Sequence, residues 1–417
     1  MAQPLPTHFR IHTEWDRPIV PVEGGPAVLL TRIVASQPHA STSRPPIDLA
    51  FVLDRSGSMS GEPIELVKQA VSIALDFVDE RDRISLVSFD DDVRVWHDLA
   101  WATPQQKSMT RAFLRAITVG SSTNLGGGWM KGCQQLGLAP VAGSSRVRRV
   151  ILLTDGQANV GMTDPSELSS LANTFRRQGI STSTIGVGNH FNEFLLSAMA
   201  EASGGNFVFV EHPALLPSFF ARETGDMTKV VALAPQLVLT LQPGVTGELL
   251  NRFPASMEGS SLTINLRDLI ADDDLVLVFE VNVPPGIENS VVALTAHLRF
   301  SDGSIVPVEI SELRRRPVHE VVAHPLSDLV IQRHAMERSA QMRREAMRSD
   351  HEGDIATSRR TLREAHSLLV AAPQSAEIDA LSNDINTLAD TEARFTESTR
   401  KRVIHEVHSQ SRGRRTT

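Results

Sequence analysis

The sequence predicts an α/β protein: a doubly wound, mostly parallel sheet inserted in a β-sandwich and followed by a C-terminal helical bundle or arm. Three observations carry that prediction. Between residues 47 and 225, short apolar runs alternate with segments of helical periodicity, the pattern of a parallel sheet covered on both faces. On either side, at 8–35 and 229–312, apolar positions recur with period two, as in half-buried strands. After Arg314-Arg315-Arg316-Pro317 the spacing turns helical.

The elements follow in chain order. Phe9, Ile11 and Thr13 mark one strand, and 27–35 forms a second after Gly24-Gly25-Pro26. The stretch SQPHASTSRPP (36–46) is a linker by composition. An apolar run at 49–53 is a buried strand, and Ile64, Val67, Val71, Ala74, Leu75 and Val78 give the next helix its inner face. Strands at 84–89 and 93–96 form a hairpin around Asp90-Asp91-Asp92, whose carboxylates read as solvated turn residues. Helices over 104–117 and 125–138 precede a strand at 150–153. Then come a helix at 164–178, a strand at 181–187, a helix at 191–202, a strand at 206–210 and a helix at 214–225. Strands at 237–241, 261–266, 275–283, 291–300 and 305–310 return the chain to the sandwich, separated by Pro and Gly turns. Helices at 326–348, 354–371 and 376–407 complete it. The domains are therefore 1–46 (first sandwich strands and linker), 47–228 (the α/β lobe), 229–316 (the rest of the sandwich) and 317–417 (helical).

Composition narrows the class. A net charge of −8 spread along 417 residues argues against a nucleic-acid surface. Cys133 is the one cysteine, so there is no intramolecular disulfide framework. The histidines at 319, 324, 334, 351, 366, 405 and 408 lack zinc-site spacing. No apolar run reaches the ~18 residues of a membrane span, and MAQPLPTHFRIHTEW lacks the basic-then-apolar pattern of a leader. The expected compartment is cytoplasmic.

The chemistry concentrates in 47–58, IDLAFVLDRSGS. A strand buried on both faces delivers its C-terminal loop to the end of the sheet where open α/β folds place ligands. That loop carries Asp54, Ser56 and Ser58, oxygen donors suited to a hard cation. RRVILLTD (148–155) repeats the pattern and ends in Asp155, and Thr123 lies in the polar turn GSSTN before Gly126-Gly127-Gly128. The bland alternative is that Ser58 or Ser60 caps the helix starting near Pro63. Three hydroxyls and two carboxylates fall short of the six oxygens that Mg²⁺ prefers, which leaves a coordination position for an anionic oxygen from outside.

This set, DxSxS after a buried strand, Thr in a polar loop and LLTDG after a later strand, resembles the metal-ion-dependent adhesion site of the von Willebrand factor A (vWA) family. GNHFNEFLL (188–196) and FFARE (219–223) are similar to bacterial members grouped with calcium-activated chloride channel and inter-α-trypsin inhibitor heavy chain proteins. The resemblance implies a Rossmann-like vWA fold over 47–245 and Mg²⁺ (or Mn²⁺) at Asp54, Ser56, Ser58, Thr123 and Asp155. It further implies a partner protein that offers an Asp or Glu carboxylate. Thr123 would bind directly only in the ligand-bound arrangement, coupled to a shift of the 214–225 helix. Relatives in bacteria are associated with AAA+ ATPases or signalling components, which makes an adaptor or scaffold the expected role.

Two other classes compete. An Mg²⁺-dependent phosphatase would use Asp54 as nucleophile, but it needs an acid/base carboxylate two residues on, where Ser56 stands. No P-loop or G-x-S-x-G elbow is present either, so the chain is not expected to be an enzyme. A purely structural scaffold would use the ion only to brace three loops.

Overall fold

In the computed structural model, which describes residues 9–36, 44–137 and 146–413, the strand Ile47–Asp54 is buried at all eight positions. It and Val147–Thr154 form the middle of a six-stranded sheet. The strands lie in the order Val93–Trp101, Arg83–Phe89, Ile47–Asp54, Val147–Thr154, Ile180–Val187, Phe207–Val210. All neighbours are parallel except the edge strand Val93–Trp101, which returns antiparallel through the tight turn at 90–92. Chain order reverses between Ile47–Asp54 and Val147–Thr154, so the crevice at their C-terminal ends is the topological switch point.

Helices Glu62–Phe77, Pro104–Ala116, Leu125–Gly137, Pro165–Arg177, Glu193–Ser203 and Leu216–Met227 accompany this sheet. Two of them start from a capping oxygen followed by proline: Thr103 accepts from the Gln106 amide, and Asp164 from the amides of Ser166 and Glu167. Leu125–Gly137 is unusually rich in glycine, a poor helix former, because its backbone lies against the sheet. A Cβ at Gly132 would stand 2.3 Å from Val52 Cγ2, and one at Gly128 2.4 Å from the Phe89 ring. Close approach, not flexibility, explains those residues. The same packing buries the Cys133 thiol and pushes its pKa up, leaving it inert.

These elements form one compact unit, Pro38–Leu233; the other joins Met1–Gln37 to Ala234–Thr417. In the second unit the strand Asp274–Val283 pairs antiparallel with Gly25–Ala35, from Asp274 opposite Val34 to Val283 opposite Gly25. The chain thus leaves a sheet after Ala35 and returns to it at Thr246, with the pairing partner of Gly25–Ala35 following at Asp274. That sheet runs Phe9–Trp15, Gly25–Ala35, Asp274–Val283, Thr246–Leu249. A five-stranded sheet is ordered Ala255–Glu258, Ser261–Asn265, Gln236–Leu241, Leu294–Arg299, Ile305–Val308.

Several elements differ from the sequence expectation. Three strands, not two, precede the linker, since Ile19–Pro21 lies parallel beside Leu313–Arg316. The expected strand at 291–300 is split between two sheets, as Val291–Val292 and Leu294–Arg299. The third C-terminal helix is also two, Ala376–Ala389 and Glu397–Ser411. The break is held from outside. The Arg359 guanidinium donates to the carbonyls of Thr391 and Ala393 at 2.6 Å, and the Asp350 carboxylate accepts from the Phe395 amide at 3.2 Å. The C-terminal helices share a unit with the sandwich. Val330, on Asp328–Glu352, packs with Val28, Leu30, Leu250 and Val278. Among the described residues no helix is long and apolar enough to cross a membrane.

Candidate metal-binding site

Asp54 is the last residue of its strand and Asp155 follows directly on Val147–Thr154, so two adjacent parallel strands place both carboxylates at one end of the sheet. Asp54 is wholly buried and held from two sides. Its Oδ1 accepts from the Ser56 amide at 2.8 Å, and its Oδ2 from the Thr154 hydroxyl at 2.5 Å. The Ser56 and Ser58 hydroxyls lie 3.2 Å apart, and Ser58 donates to Asp155 Oδ1 at 2.6 Å.

Thr123 arrives from the loop ahead of Leu125–Gly137 and is also buried. Gly156 marks where it joins the others. A methyl group there would stand 3.1 Å from Thr123 Oγ1, 3.6 Å from Ser58 Oγ and 3.7 Å from Asp54 Oδ2. The missing side chain thus opens a space, next to Asp155 in the chain, onto which the Asp54–Ser58 loop and the Thr123 loop direct oxygens. The structure brings all five residues named from the sequence together.

The alternative role for the serines does not match the geometry. Gly61, at φ +85°, precedes the helix Glu62–Phe77, and no side chain caps it. The Ser56 hydroxyl caps nothing in the short turn Gly57–Met59. The Ser56 hydroxyl lies against Ser58 instead, and Ser58 donates to Asp155.

The electrostatics point the same way. Burial pushes Asp54 up to about 6, against hydrogen bonds from Thr154 and Ser56 that pull it down, and Asp155 adds like-charge repulsion. Asp155 is likewise raised by burial, opposed by its bond from Ser58. The hydrogen bonds that hold the two carboxylates come from the Ser56 amide and the hydroxyls of Thr154 and Ser58. Two buried acids among neutral hydroxyls, with room beside Gly156, are a donor set that suits a small divalent cation.

Three residues hold the loops in a role that the sequence did not reveal. Thr154 anchors Asp54, as described. Asp90 is buried, not solvated: its carboxylate takes the Arg55 guanidinium at 2.6 Å and its carbonyl the Asn124 amide at 2.8 Å. Asp91 accepts from the Ser121 hydroxyl at 2.6 Å and the Ser122 amide at 2.7 Å, which keep its carboxyl below the ordinary range. The hairpin turn therefore clamps the Asp54 loop and the Thr123 loop. The expectation that the acidic triplet is solvated fails for Asp90 and holds for the exposed Asp91 and Asp92.

The helix Leu216–Met227, expected to shift with ligand, is tied to the sheet by a buried ion pair. Glu223 Oε1 lies 2.8 Å from Arg149 Nη1, and Glu223 also accepts from Ser183 at 2.5 Å and from Asn206 at 2.7 Å.

Comparison with known proteins matches residues 48–222 to the family model for the von Willebrand factor type A domain. That stretch contains the whole oxygen cluster. Residues 48–222 form a von Willebrand factor type A domain. The chain is similar to the uncharacterized protein sll0103 of Synechocystis sp., 27% identical over 64% of this chain and 65% of that protein. It is also similar to inter-alpha-trypsin inhibitor heavy chain H3 of Rattus norvegicus, 32% identical over 38% of this chain and 18% of the relative. The chain thus spans just under two thirds of one curated relative and less than a fifth of the other. Outside the vWA domain, the likeness extends to architecture. A von Willebrand factor type A structure from Catenulispora acidiphila superposes with a TM-score of 0.76 at 16% identity, covering 100% of this chain and 99% of that one. At that identity the likeness is one of fold.

Proposed function

We propose that this protein is a metal-dependent protein–protein interaction module that binds an acidic residue of a partner protein. In this reading, Mg²⁺ or Mn²⁺ is held by Asp54, Ser56, Ser58, Thr123 and Asp155. The observation that carries it is the convergence of Thr123, Ser58 and Asp54 oxygens on the space beside Gly156, with neither serine used as a helix cap. A bound ion would supply a Lewis-acidic position that accepts a carboxylate oxygen from the partner. The chain's own part is to present two carboxylates and three neutral hydroxyls on loops already fixed by direct hydrogen bonds. Neutral hydroxyls compensate ion dehydration poorly. The partner's negative charge should therefore strengthen metal binding, and metal should strengthen partner binding by the same factor. vWA domains commonly mediate protein interactions, and an adaptor or scaffold serving an AAA+ ATPase or a signalling component fits that role.

A catalytic role has less support. Ser56, not a carboxylate, stands two residues after Asp54, and its hydroxyl lies against Ser58. A purely bracing ion has less support too, because the Ser58–Asp155 and Thr154–Asp54 bonds close the loops directly.

The test is calorimetry. Mn²⁺ is titrated into the protein alone and with a partner that the protein retains in Mg²⁺ and releases in EDTA. The reading expects tighter Mn²⁺ binding with partner present. Thr123→Ala should keep weak metal binding and lose most of the partner's contribution. Equal metal affinity in both titrations would leave the ion as a brace.

A further inference from the structure

The segment after Asp155 does more than carry that carboxylate. Asn159 Oδ1 accepts the Thr123 amide at 2.9 Å, while the amides of Asn159 and Val160 donate to the Thr123 carbonyl at 3.2 and 3.4 Å. Both backbone polar groups of Thr123 are thus engaged by one neighbouring stretch of chain. Gly161, at φ +72°, ends that stretch against Asn124, where a Cβ would stand 2.6 Å from the Asn124 amide oxygen. The same oxygen accepts from the Gly127 amide at 3.0 Å in the first turn of Leu125–Gly137.

We propose that Asn159 is a positioning residue of the metal site, setting the Thr123 hydroxyl against Asp54, Ser58 and Asp155. The proposal rests on the metal-dependent reading above and deepens it. A threonine hydroxyl is a weak, neutral ligand, so its contribution depends on being held at the right distance before the ion arrives. Asn159 holds it through the backbone on which the hydroxyl is mounted. Because the bracket joins residue 123 to the segment following residue 155, Thr123 and Asp155 move together. The Asn159 side chain lies on an exposed residue, so replacing it leaves the packed interior intact.

The experiment is a double-mutant cycle on Mn²⁺ affinity, read by calorimetry in the full chain. Asn159→Ala should weaken Mn²⁺ about tenfold, the scale of one lost positioning hydrogen bond. In the Thr123→Ala background the same substitution should change nothing, because its effect passes through Thr123. Asn159→Asp keeps the accepting oxygen and should restore at least wild-type affinity. The Thr123 amide should exchange hydrogen faster in Asn159→Ala and not in Asn159→Asp. Wild-type protein that binds no Mn²⁺ would overturn the metal reading itself. Wild-type binding with an unchanged Asn159→Ala, or an equal loss in both backgrounds, would overturn the role of Asn159 alone.

Discussion

Replacing Asp54 by asparagine should stabilise the metal-free protein and abolish its response to metal. In the folded chain without an ion, the Asp54 carboxyl is raised from 3.8 to about 6, first by burial and then by the nearby Asp155. A folded-state pKa above the unfolded one means that the native protein holds this proton more tightly. The group costs nothing below about pH 4 and destabilises progressively as pH rises through 6. At ~1.4 kcal/mol per pH unit, the full cost above pH 7 is about 3 kcal/mol. Asparagine removes it while keeping the local bonds. Its carbonyl can still accept from the Ser56 amide. Its amide can donate to Thr154 Oγ1, whose hydroxyl turns to the Gly156 carbonyl 3.3 Å away. Urea unfolding in EDTA should therefore find Asp54→Asn ~2–3 kcal/mol more stable than wild type at pH 8 and equal to it near pH 4. Adding Mn²⁺ at a hundred times its dissociation constant should stabilise wild type by ~2.7 kcal/mol and the variant not at all. An asparagine variant less stable than wild type at pH 8 in EDTA would refute the electrostatic argument. Equal stabilisation by Mn²⁺ would refute the ligand assignment.

Two further predictions concern groups away from the oxygen cluster. Glu223→Ala leaves Arg149 without the buried carboxylate it now meets at 2.8 Å. It should cost ~3–5 kcal/mol, whereas the paired change Glu223→Leu with Arg149→Met should recover most of that in urea unfolding. Amide exchange across 213–229 should stay slow in wild type and accelerate in Glu223→Ala; equal exchange in the two would show that the ion pair does not hold the helix. Burial pushes Glu337 up to about 7 from an ordinary 4.5, so its contribution is fully present below pH 4.5 and is lost as pH rises through 7. Glu337→Gln should accordingly raise stability at pH 8.5 by about 3 kcal/mol and leave it unchanged at pH 4, and a loss at pH 8.5 would contradict this.

The part of the site that the sequence displayed was local. Asp54 and Asp155 each stand immediately after an apolar run, and Ser56 and Ser58 follow at fixed spacing. Strand period, turn residues and donor type are all properties of a few neighbouring residues, and they sufficed to name the five oxygens. The same holds for the alternation of strand and helix from 47 to 225, because each element writes its own periodicity. What the sequence left unsaid depends on residues distant in the chain. Asp90 meets Arg55 across 35 residues, Asn159 meets Thr123 across 36, and Glu223 meets Arg149 across 74. No spacing rule connects such pairs, since their proximity exists only after parallel strands have been laid side by side. The helix break near residue 393 is of the same kind: nothing between Ala389 and Glu397 forbids a helix, and Arg359 and Asp350 impose the interruption from neighbouring elements. Backbone propensity can be read one residue at a time, whereas buried charge and unsatisfied amides find partners only in three dimensions.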